Sequence, residues 1–371
     1  MSTDPAVTFE ALPASYGDAL LVTCPVPGGA WRLLVDSGPS VSWPKVRQRL
    51  TKLPTAADGT RYIDVAIVSH IDHDHIGAVP RWFDDAKLAL RFGDIWFNGR
   101  RHLGAVPRAV GEGEALAALL GAADRELPWN RAFGGEAVCI YGDGGFVEIP
   151  GPPDHPRLTL LSPTPKQLAK LATVWNAALE RLHRGEADTE SERTHGAEAL
   201  ELSRSMETLD LDALAAHPST MDTTPPNGSS IALLLEHRGA SLLLAADAFP
   251  SVLASALRKL AKHRRVQSLQ VDLFKLSHHG SRGNLISELL SVVQAKHYAV
   301  STDNTHFGHP DDETLARVVL HGGPQPVLCF NYATARNLRW ADPELQQRYG
   351  FATLYPVAAT AGAVLRLRGS P

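Results

Sequence analysis

The sequence predicts an α/β fold in which two mixed β-sheets pack face to face with helices on the outer faces, an αββα sandwich. Apolar runs of strand length, bounded by turn residues, are concentrated towards both ends of the chain, and helical patterns lie between them. The 371 residues are 44% hydrophobic and 20% charged, which is typical of a globular protein with a large core. This length accommodates one large domain or two ordinary ones.

The first third of the chain reads as short strands separated by turns. The apolar runs predict strands at 7–12, 18–24, 31–37, 62–70 and 94–99. A helix is predicted at 42–53, with Ser42 as its N-cap and Pro44 in its first turn, and another around 114–120.

The rest of the chain continues with mixed elements. We predict strands at 229–237, 240–248, 272–278, 297–302, 326–331 and 361–369. We predict helices at about 165–183, 250–262, 284–294 and 311–320. The stretch 184–228 is polar, acidic and poor in aromatic residues. It predicts a partly mobile insertion at about 165–226 within a single domain spanning 1–371.

Charge and cysteine content exclude some classes of function. The net charge is −4, so no bulk positive field attracts nucleic acid or an anionic membrane. A local phosphate-binding rim is still an open alternative, formed by Lys275, Arg282 and the run at 262–265. The three cysteines are far apart and predict neither disulfides nor a thiolate metal site. The N-terminus has no signal-peptide pattern and no segment is apolar over 18 residues, so we expect a cytoplasmic protein without membrane contact.

A polar cluster follows the apolar run that ends near residue 70. It holds five metal-competent side chains: His70, Asp72, His73, Asp74 and His75. A loop leaving a strand can curl such closely spaced side chains around one point, and imidazole with carboxylate suits zinc, manganese or iron. A solvated polar turn is the alternative, but chance would fix four such positions in under ~1% of chains of this length.

The frame His70-x-Asp72-x-Asp74-His75-x-Gly77 resembles the metal loop of the metallo-β-lactamase superfamily. With Asp at the second ligand position, it is similar to the nuclease-like domain of the ComEC-type DNA-uptake proteins and their free-standing relatives. Further stretches match this family in the expected order: SYGDAL (15–20), LLVDSG (33–38), PNGSSIALLLEHRGASLLLAAD (226–247), FKLSHHGSRGN (274–284) and STDNTHFGHP (301–310).

The resemblance implies roles for individual residues. The implied metal ligands are His70, Asp72, Asp74, His75, Asp247 and His278, with Asp247 bridging two ions and His278 serving the second. Asp74 and His309 are the implied catalytic residues. Residues implied to orient ligands or to position substrate are Asp18, Asp36, Asn227, Ser230, His279, Ser281 and Asn304. His73 stands at a variable position and is predicted to point away from the metal.

Three departures from the family pattern stand out. Tyr16 replaces a Gln, Ala246 replaces the Gly before the bridging Asp, and Ser162 stands where the superfamily often has a His. With Asp72 and Ser162 in place of His, the first metal site is richer in oxygen and poorer in ligands. This shifts the expected metal towards manganese or an exchangeable zinc.

The resemblance implies a metal-dependent hydrolase with one or two divalent ions, zinc or manganese, that generate a hydroxide from water. Three functions stay open. The first is a phosphodiesterase or nuclease acting on nucleic acid or a nucleotide. The second is a hydrolase of a small ester, lactone or amide, and the third is a degenerate metal-binding partner protein. The insertion at 165–226 is a candidate docking arm for a protein partner.

Overall fold

The computed structural model describes residues 6–103, 111–142, 145–183, 209–358 and 362–368, and their side chains except those of 176–183. Two mixed β-sheets with helices form the molecule, which confirms the predicted fold class. The stretch 184–208, where we predicted a mobile loop, lies outside the described residues.

Six strands form the first sheet: β1 Val7–Ala11, β2 Leu20–Val26, β3 Gly29–Val35, β4 Arg61–Ile67, β5 Leu90–Trp96 and β14 Ala363–Leu367. They lie in the order β14-β1-β2-β3-β4-β5. Neighbours from β14 to β3 are antiparallel, whereas β3, β4 and β5 run parallel. The carboxyl ends of β3 and β4 therefore meet at one edge.

Eight strands form the second sheet: β6 Val147–Ile149, β7 Arg157–Ser162, β8 Ala232–His237, β9 Ala240–Leu244, β10 Leu269–Lys275, β11 Val293–Val300, β12 Val327–Phe330 and β13 Ala352–Leu354. They follow the order β13-β12-β11-β10-β9-β8-β7-β6. Strands β9 to β13 run parallel, so the loops after β9, β10 and β11 emerge together.

Helices of the described residues cover the sheets: α1 Trp43–Leu50, α2 His73–Ile76, α3 Arg81–Asp84, α4 Gly111–Leu120, α5 Pro165–His183, α6 Leu211–Ala216, α7 Pro225–Gly228, α8 Pro250–His263, α9 Ser287–Val292, α10 Asp312–His321, α11 Ala335–Leu338 and α12 Pro343–Tyr349. None of these described helices is long and apolar enough to cross a membrane.

Side-chain alternation explains how the first sheet packs on both faces. In β3, Leu33 and Val35 belong to the core between the sheets, whereas Leu34 belongs to the cluster on the opposite face. That outer cluster includes Leu50 of α1 and Leu116 of α4, so helices bury this face.

Several element boundaries differ from those predicted. Ser42 is not a side-chain cap, because a 3₁₀ turn at Ser40–Ser42 precedes α1 and the Ser42 hydroxyl donates to Pro39 O instead. Strand β7 was not predicted as a strand, and β6 and β13 span three residues each, too few for a periodic pattern.

The described ends of the predicted insertion pack against the rest of the molecule. Leu171 and Trp175 of α5 join the cluster on the outer face of the first sheet, and Leu211 is fully buried. The guanidinium of Arg317 donates to Ala215 O and His217 O, which fixes the segment after α6 on α10. That the whole chain forms one domain stays a prediction.

Candidate metal centre

The candidate centre forms where strands of both sheets end. The loop after β4 carries His70, the loop after β9 carries Asp247, and the turn after β10 carries His278 and His279. Because these strands end at facing edges, residues far apart in sequence converge. The Nε2 atom of His75 lies 3.4 Å from Oδ1 of Asp247, which follows it by more than 170 positions in the chain.

The metal loop divides its polar side chains between inside and outside. Asp74 and His75 lie in the single turn of α2 and are buried, as is His70. His73 faces the other way, with its Nδ1 2.8 Å from Oε1 of Glu112 and half of its side chain exposed. The structure thus separates the adjacent residues as the family pattern implied.

Each imidazole of the centre has its Nδ1 held by a neighbour. His75 Nδ1 contacts Asp36 Oδ2 at 2.8 Å, and His279 Nδ1 contacts the Ser301 carbonyl at 2.8 Å. His70 Nδ1 lies 3.0 Å from Ser69 Oγ and 3.2 Å from Ser230 Oγ. His278 Nδ1 lies 3.1 Å from Asn284 Oδ1. This arrangement directs every Nε2 towards carboxylate oxygens of the centre, the orientation that metal-binding histidines require.

Asp247 lies between two groups of donor atoms. Its Oδ2 is 3.8 Å from Nε2 of His70 and 3.7 Å from Nε2 of His278, and Oδ2 of Asp72 is 3.5 Å from the same His70 atom. The other Asp247 oxygen, Oδ1, faces His75. Each oxygen of Asp247 therefore serves a different group.

The second group joins donors from both sheets. Oδ2 of Asp74 lies 3.1 Å from Nε2 of His279 and 3.7 Å from Nε2 of His75. Donor atoms of Asp74, His75 and His279 all lie within 4.8 Å of one another, as do those of His70, His75 and Asp247. The two groups have His75 in common, and Asp247 also contacts His70 and His278. This spacing matches two adjacent cation sites.

The two histidines after β10 lie on different sides of the centre. His279 lies beside Asp74, and His278 faces the His70 side of Asp247. The resemblance implied His278 as a ligand of the second ion and His279 as a weak ligand or a positioning residue, and both rings reach the centre. Both residues adopt left-handed backbone, with φ of 48° and 54°. In an extended strand adjacent side chains point to opposite faces, whereas this tight turn directs both towards the centre.

The donor set carries an excess of buried negative charge. Burial alone would lower the pKa of His75, but Asp247, Asp74 and Asp36 outweigh it and raise the pKa well above its usual value. Burial likewise opposes the charge on His278, yet Asp247 and Asp222 raise its pKa to about 9. The same carboxylates would stabilise a cation at their common point.

Unpartnered atoms show that the donor set fits a metal. Nε2 of His70, Nε2 of His75 and Oδ1 of Asp247 are buried without a hydrogen-bond partner among the described residues. Such atoms are costly to bury unless something binds them. Imidazole and carboxylate donors suit zinc or manganese, so the residues present fit one or two such ions.

Comparison with known proteins finds a family match for part of the chain. Residues 14–156 match the sequence model of the Metallo-beta-lactamase superfamily. This stretch is therefore similar to a metallo-beta-lactamase domain. ComE operon protein 3 of Bacillus subtilis (strain 168) is 21% identical over 327 residues, covering 84% of this chain. The chain spans about 30% of the length of that relative.

Solved structures of similar proteins cover nearly the whole chain. The metallo-beta-lactamase fold protein YhfI of Bacillus subtilis is 12% identical with a TM-score of 0.41, covering 98% of this chain and 100% of its own. Igni18, a metallo hydrolase of Ignicoccus hospitalis, is 13% identical with a TM-score of 0.38 over 98% and 100% of the two chains.

Two departures from the family pattern have visible local effects. Ala246 has φ of 46°, the left-handed region that favours glycine, which explains why the family usually has Gly there. Ser162 ends β7 opposite Ala232, and its buried Oγ has no hydrogen-bond partner among the described residues. On the His70 side, His278 supplies an imidazole, whereas the family pattern often has a His at the position of Ser162.

His309 lies at the solvent side of the candidate metal centre. Its ring is 5.3 Å from the ring of His278, and its Nδ1 is 3.5 Å from Oδ1 of Asp311. Burial lowers its pKa, with Asp311 opposing the shift. The side-chain amide of Asn304 donates to the carbonyl of His309 and so fixes the loop that carries it.

The other predicted positioning residues lie around the donors. Asp36 accepts hydrogen bonds from the backbone and the hydroxyl of Ser69, both at 2.7 Å. Ser230 Oγ accepts from the Asp247 backbone at 3.3 Å, and Asn227 lies 3.4 Å from His278. Ser281 forms the turn itself, because its backbone N–H donates to the carbonyl of His278.

Three supporting residues were missed by the sequence analysis. Oδ2 of Asp222 is 3.5 Å from Nδ1 of His278 and accepts hydrogen bonds from Asn227 and Asn284. Asp222 lies in the stretch that we assigned to the insertion, where acidic residues are frequent, so no pattern distinguished this aspartate from its neighbours. Ser69 and Asn284 belong to residue types too common to be noticed without coordinates.

The basic residues proposed as a phosphate rim do not form one. Lys275 is fully buried, with its Nζ 2.6 Å from Oδ2 of Asp18, so it stabilises the inside of the molecule. The run 262–265 lies at the C-terminal end of α8, and the first residue of α8 follows Asp247 closely. Because a helix of 14 residues is about 20 Å long, this run lies about 20 Å from the centre. Arg282 pairs with Glu313 at 3.1 Å.

Proposed function

We propose that this chain is a metal-dependent phosphodiesterase that acts on nucleic acid or a nucleotide. The observation that carries the proposal is the pair of donor groups that have His75 in common, one with His70 and Asp247 and one with Asp74 and His279. Paired cation sites of this kind suit the displacement of an ester oxygen at phosphorus. The motif resemblance to the ComEC-type nuclease-like domain supports the same substrate class.

Divalent zinc or manganese, when bound, would polarise the phosphoryl oxygens and lower the pKa of a bound water. His70, Asp72 and His278 would hold one ion and Asp74, His75 and His279 the other, with Asp247 between them. The Nδ1 contacts described above fix the orientation of each imidazole, so the donors need little rearrangement.

The protein groups serve distinct atoms of the reaction. In hydrolysis the water oxygen bonds to phosphorus, the ester P–O bond breaks, and the departing oxygen takes up a proton in place of the one that water gives up. Burial would raise the pKa of Asp74, but His75 and His279 lower it to about 2. As an ionised acceptor, Asp74 orients the attacking water. His309, on the solvent side, donates to the departing oxygen from its protonated form, which Asp311 stabilises against the effect of burial.

A second candidate is hydrolysis of a small ester, lactone or amide. The burial of Lys275 and the distance of the run 262–265 favour it, because a long polyanion gains no basic rim from them. The third function, a degenerate metal-binding partner protein, has less support, since four imidazoles and three carboxylates keep a coordinated arrangement. Docking of a protein partner on the 165–226 segment stays a proposal.

One experiment separates these functions. Metal-stripped protein is incubated with Mn²⁺ or Zn²⁺ and either bis-p-nitrophenyl phosphate or single-stranded DNA, beside Asp74→Ala. We expect metal-dependent cleavage that falls about a hundredfold or more in Asp74→Ala. Asp84→Ala, an exposed aspartate at the end of α3, is the matched control and should retain activity.

The outcomes are distinct. Absence of metal-dependent phosphodiester cleavage would refute the leading proposal. Cleavage of p-nitrophenyl acetate or a lactone alone would favour the second candidate. Metal content near zero after repletion, with no hydrolysis, would favour the partner protein.

A further inference from the structure

Three aromatic side chains beside the metal centre have no part in the hydrolysis proposed above. The rings of Tyr16 and His306 stack at 4.5 Å with 26° between their planes. The ring of Phe307 stands edge-on to both, 6.0 Å from Tyr16 and 4.5 Å from His306. We call Tyr16, His306 and Phe307 the aromatic rim.

The aromatic rim borders the solvent side of the centre. Phe307 lies 6.2 Å from the ring of His278 and 6.0 Å from that of His309. These two imidazoles are 21% and 12% exposed, whereas the side chain of His75 is 0% exposed. A substrate that approaches the donors from solvent therefore passes the rim.

Hydrogen bonds hold the two loops of the aromatic rim together. The backbone N–H of Asp303 donates to Ser15 O at 3.0 Å, and Ser15 Oγ donates to Asp303 Oδ2 at 2.7 Å. Tyr16 and His306 are thus fixed relative to each other before any ligand arrives. A preformed stack of this kind loses little conformational entropy on binding.

The charges near the aromatic rim do not attract a polyanion. Burial raises the pKa of Tyr16, and the carboxylates of Asp74, Asp303 and Glu112 raise it further. Lys275 is buried in its ion pair with Asp18. What this surface offers is flat π-faces, which bind other flat rings by stacking.

We propose that the aromatic rim stacks an unpaired nucleobase next to the phosphodiester held at the metal centre. The substrate is then a single-stranded oligonucleotide, bound through base stacking more than through phosphate charge. The inference rests on the proposed phosphodiesterase function. Stacking on an aromatic side chain tolerates any base and strengthens binding about tenfold or more per base. In a duplex the bases are already stacked on one another, so duplex DNA gains little.

The test compares two substrates of equal length. One is a single-stranded DNA oligonucleotide, and the other carries abasic residues throughout, so that it keeps the phosphodiesters and lacks the bases. We expect the wild-type KM to be about tenfold lower for the DNA than for the abasic oligonucleotide. In Tyr16→Leu and Phe307→Leu this KM ratio should fall towards one. Tyr62 is an exposed tyrosine near the start of β4, so Tyr62→Leu should keep the wild-type KM ratio.

Each result decides one point. Equal KM values for both oligonucleotides in the wild type, or an unchanged ratio in both rim variants, would overturn the stacking proposal while the phosphodiesterase stands. Cleavage of bis-p-nitrophenyl phosphate but of neither oligonucleotide would overturn the stacking proposal alone, and cleavage of none of the three, with any metal, would overturn the proposed function itself. A lower KM for duplex than for single-stranded DNA would also contradict the proposal, because paired bases cannot reach the rim.

Discussion

At the scale of single residues, neighbours in the metal loop differ sharply in environment. His73 and His75 are two positions apart, yet His73 pairs with Glu112 at the surface, and His75 is buried between Asp36 and Asp247. The difference arises because α2 is a single helical turn, in which residues two apart point in nearly opposite directions. The pair therefore offers an internal comparison of surface and ligand roles.

We expect His75→Ala to lose metal and His73→Ala to keep it. His75 contributes a donor to both clusters at the centre, so its removal should reduce bound zinc or manganese to half or less and lower phosphodiester cleavage about a hundredfold or more. His73→Ala should stay within about twofold of the wild type. Metal content by elemental analysis and initial rates provide the measurement, and equal losses in both variants would contradict the assignment.

The sequence predicted which residues come near the centre better than it predicted how they face one another. His70, His75 and Asp247 were recognisable because each follows an apolar strand in a familiar pattern. The orientation of His278 and His279 was not, since it depends on left-handed backbone at both residues, which no side-chain pattern encodes.

At the scale of elements, one buried ion pair connects the two sheets. Asp18 precedes β2 in the first sheet, and Lys275 ends β10 in the second. Both side chains are 0% exposed, and the Asp18 carboxylate also lies 3.4 Å from Nδ1 of His279. The pair thus stabilises the junction directly behind His279.

We expect Lys275→Met to destabilise the protein strongly, because it leaves the Asp18 carboxylate buried without its cation. Breaking a buried pair in this way costs about 3–5 kcal/mol. The matched control is Lys296→Met. Lys296 forms an ion pair with Asp272, and its side chain is 61% exposed, so this substitution should lower the free energy of unfolding by about 1 kcal/mol or less. Urea unfolding of the three proteins measures both. Similar midpoints for the two variants would show that Lys275 is dispensable.

The burial of Lys275 also shows where the sequence is ambiguous at this scale. Its position in an apolar strand beside a histidine pair fitted a basic rim as well as a buried partner. Only the packing of the second sheet on the first brings Asp18 within 2.6 Å and decides between the two. Most strands could be predicted from apolar runs in the sequence, whereas contacts between the two sheets depend on the tertiary structure.

At the scale of the whole molecule, the centre needs both sheets. The first sheet contributes the loop from His70 to His75, and the second contributes Asp247, His278 and His279. These residues are far apart in an unfolded chain, so a bound ion stabilises the folded state alone.

We therefore expect metal removal to lower the melting temperature by several degrees. A ligand at a hundred times its Kd stabilises the folded state by about 2.7 kcal/mol. Thermal unfolding of chelator-treated protein, before and after addition of Zn²⁺ or Mn²⁺, measures the effect. His75→Ala serves as the control and should respond weakly to added metal. If neither chelation nor repletion changes the wild-type melting temperature, the residues of the two sheets do not bind a stabilising metal together.

The uneven exposure of the centre also has a consequence for the proposed reaction. His70, His75 and His279 are 0% exposed, whereas Asp72 is 40% exposed and His278 21%. If the chain is the proposed phosphodiesterase, substrate would arrive and products would depart on that same side. A product that retains the phosphate group would meet the same donors as the next substrate, so we expect competitive inhibition by that product.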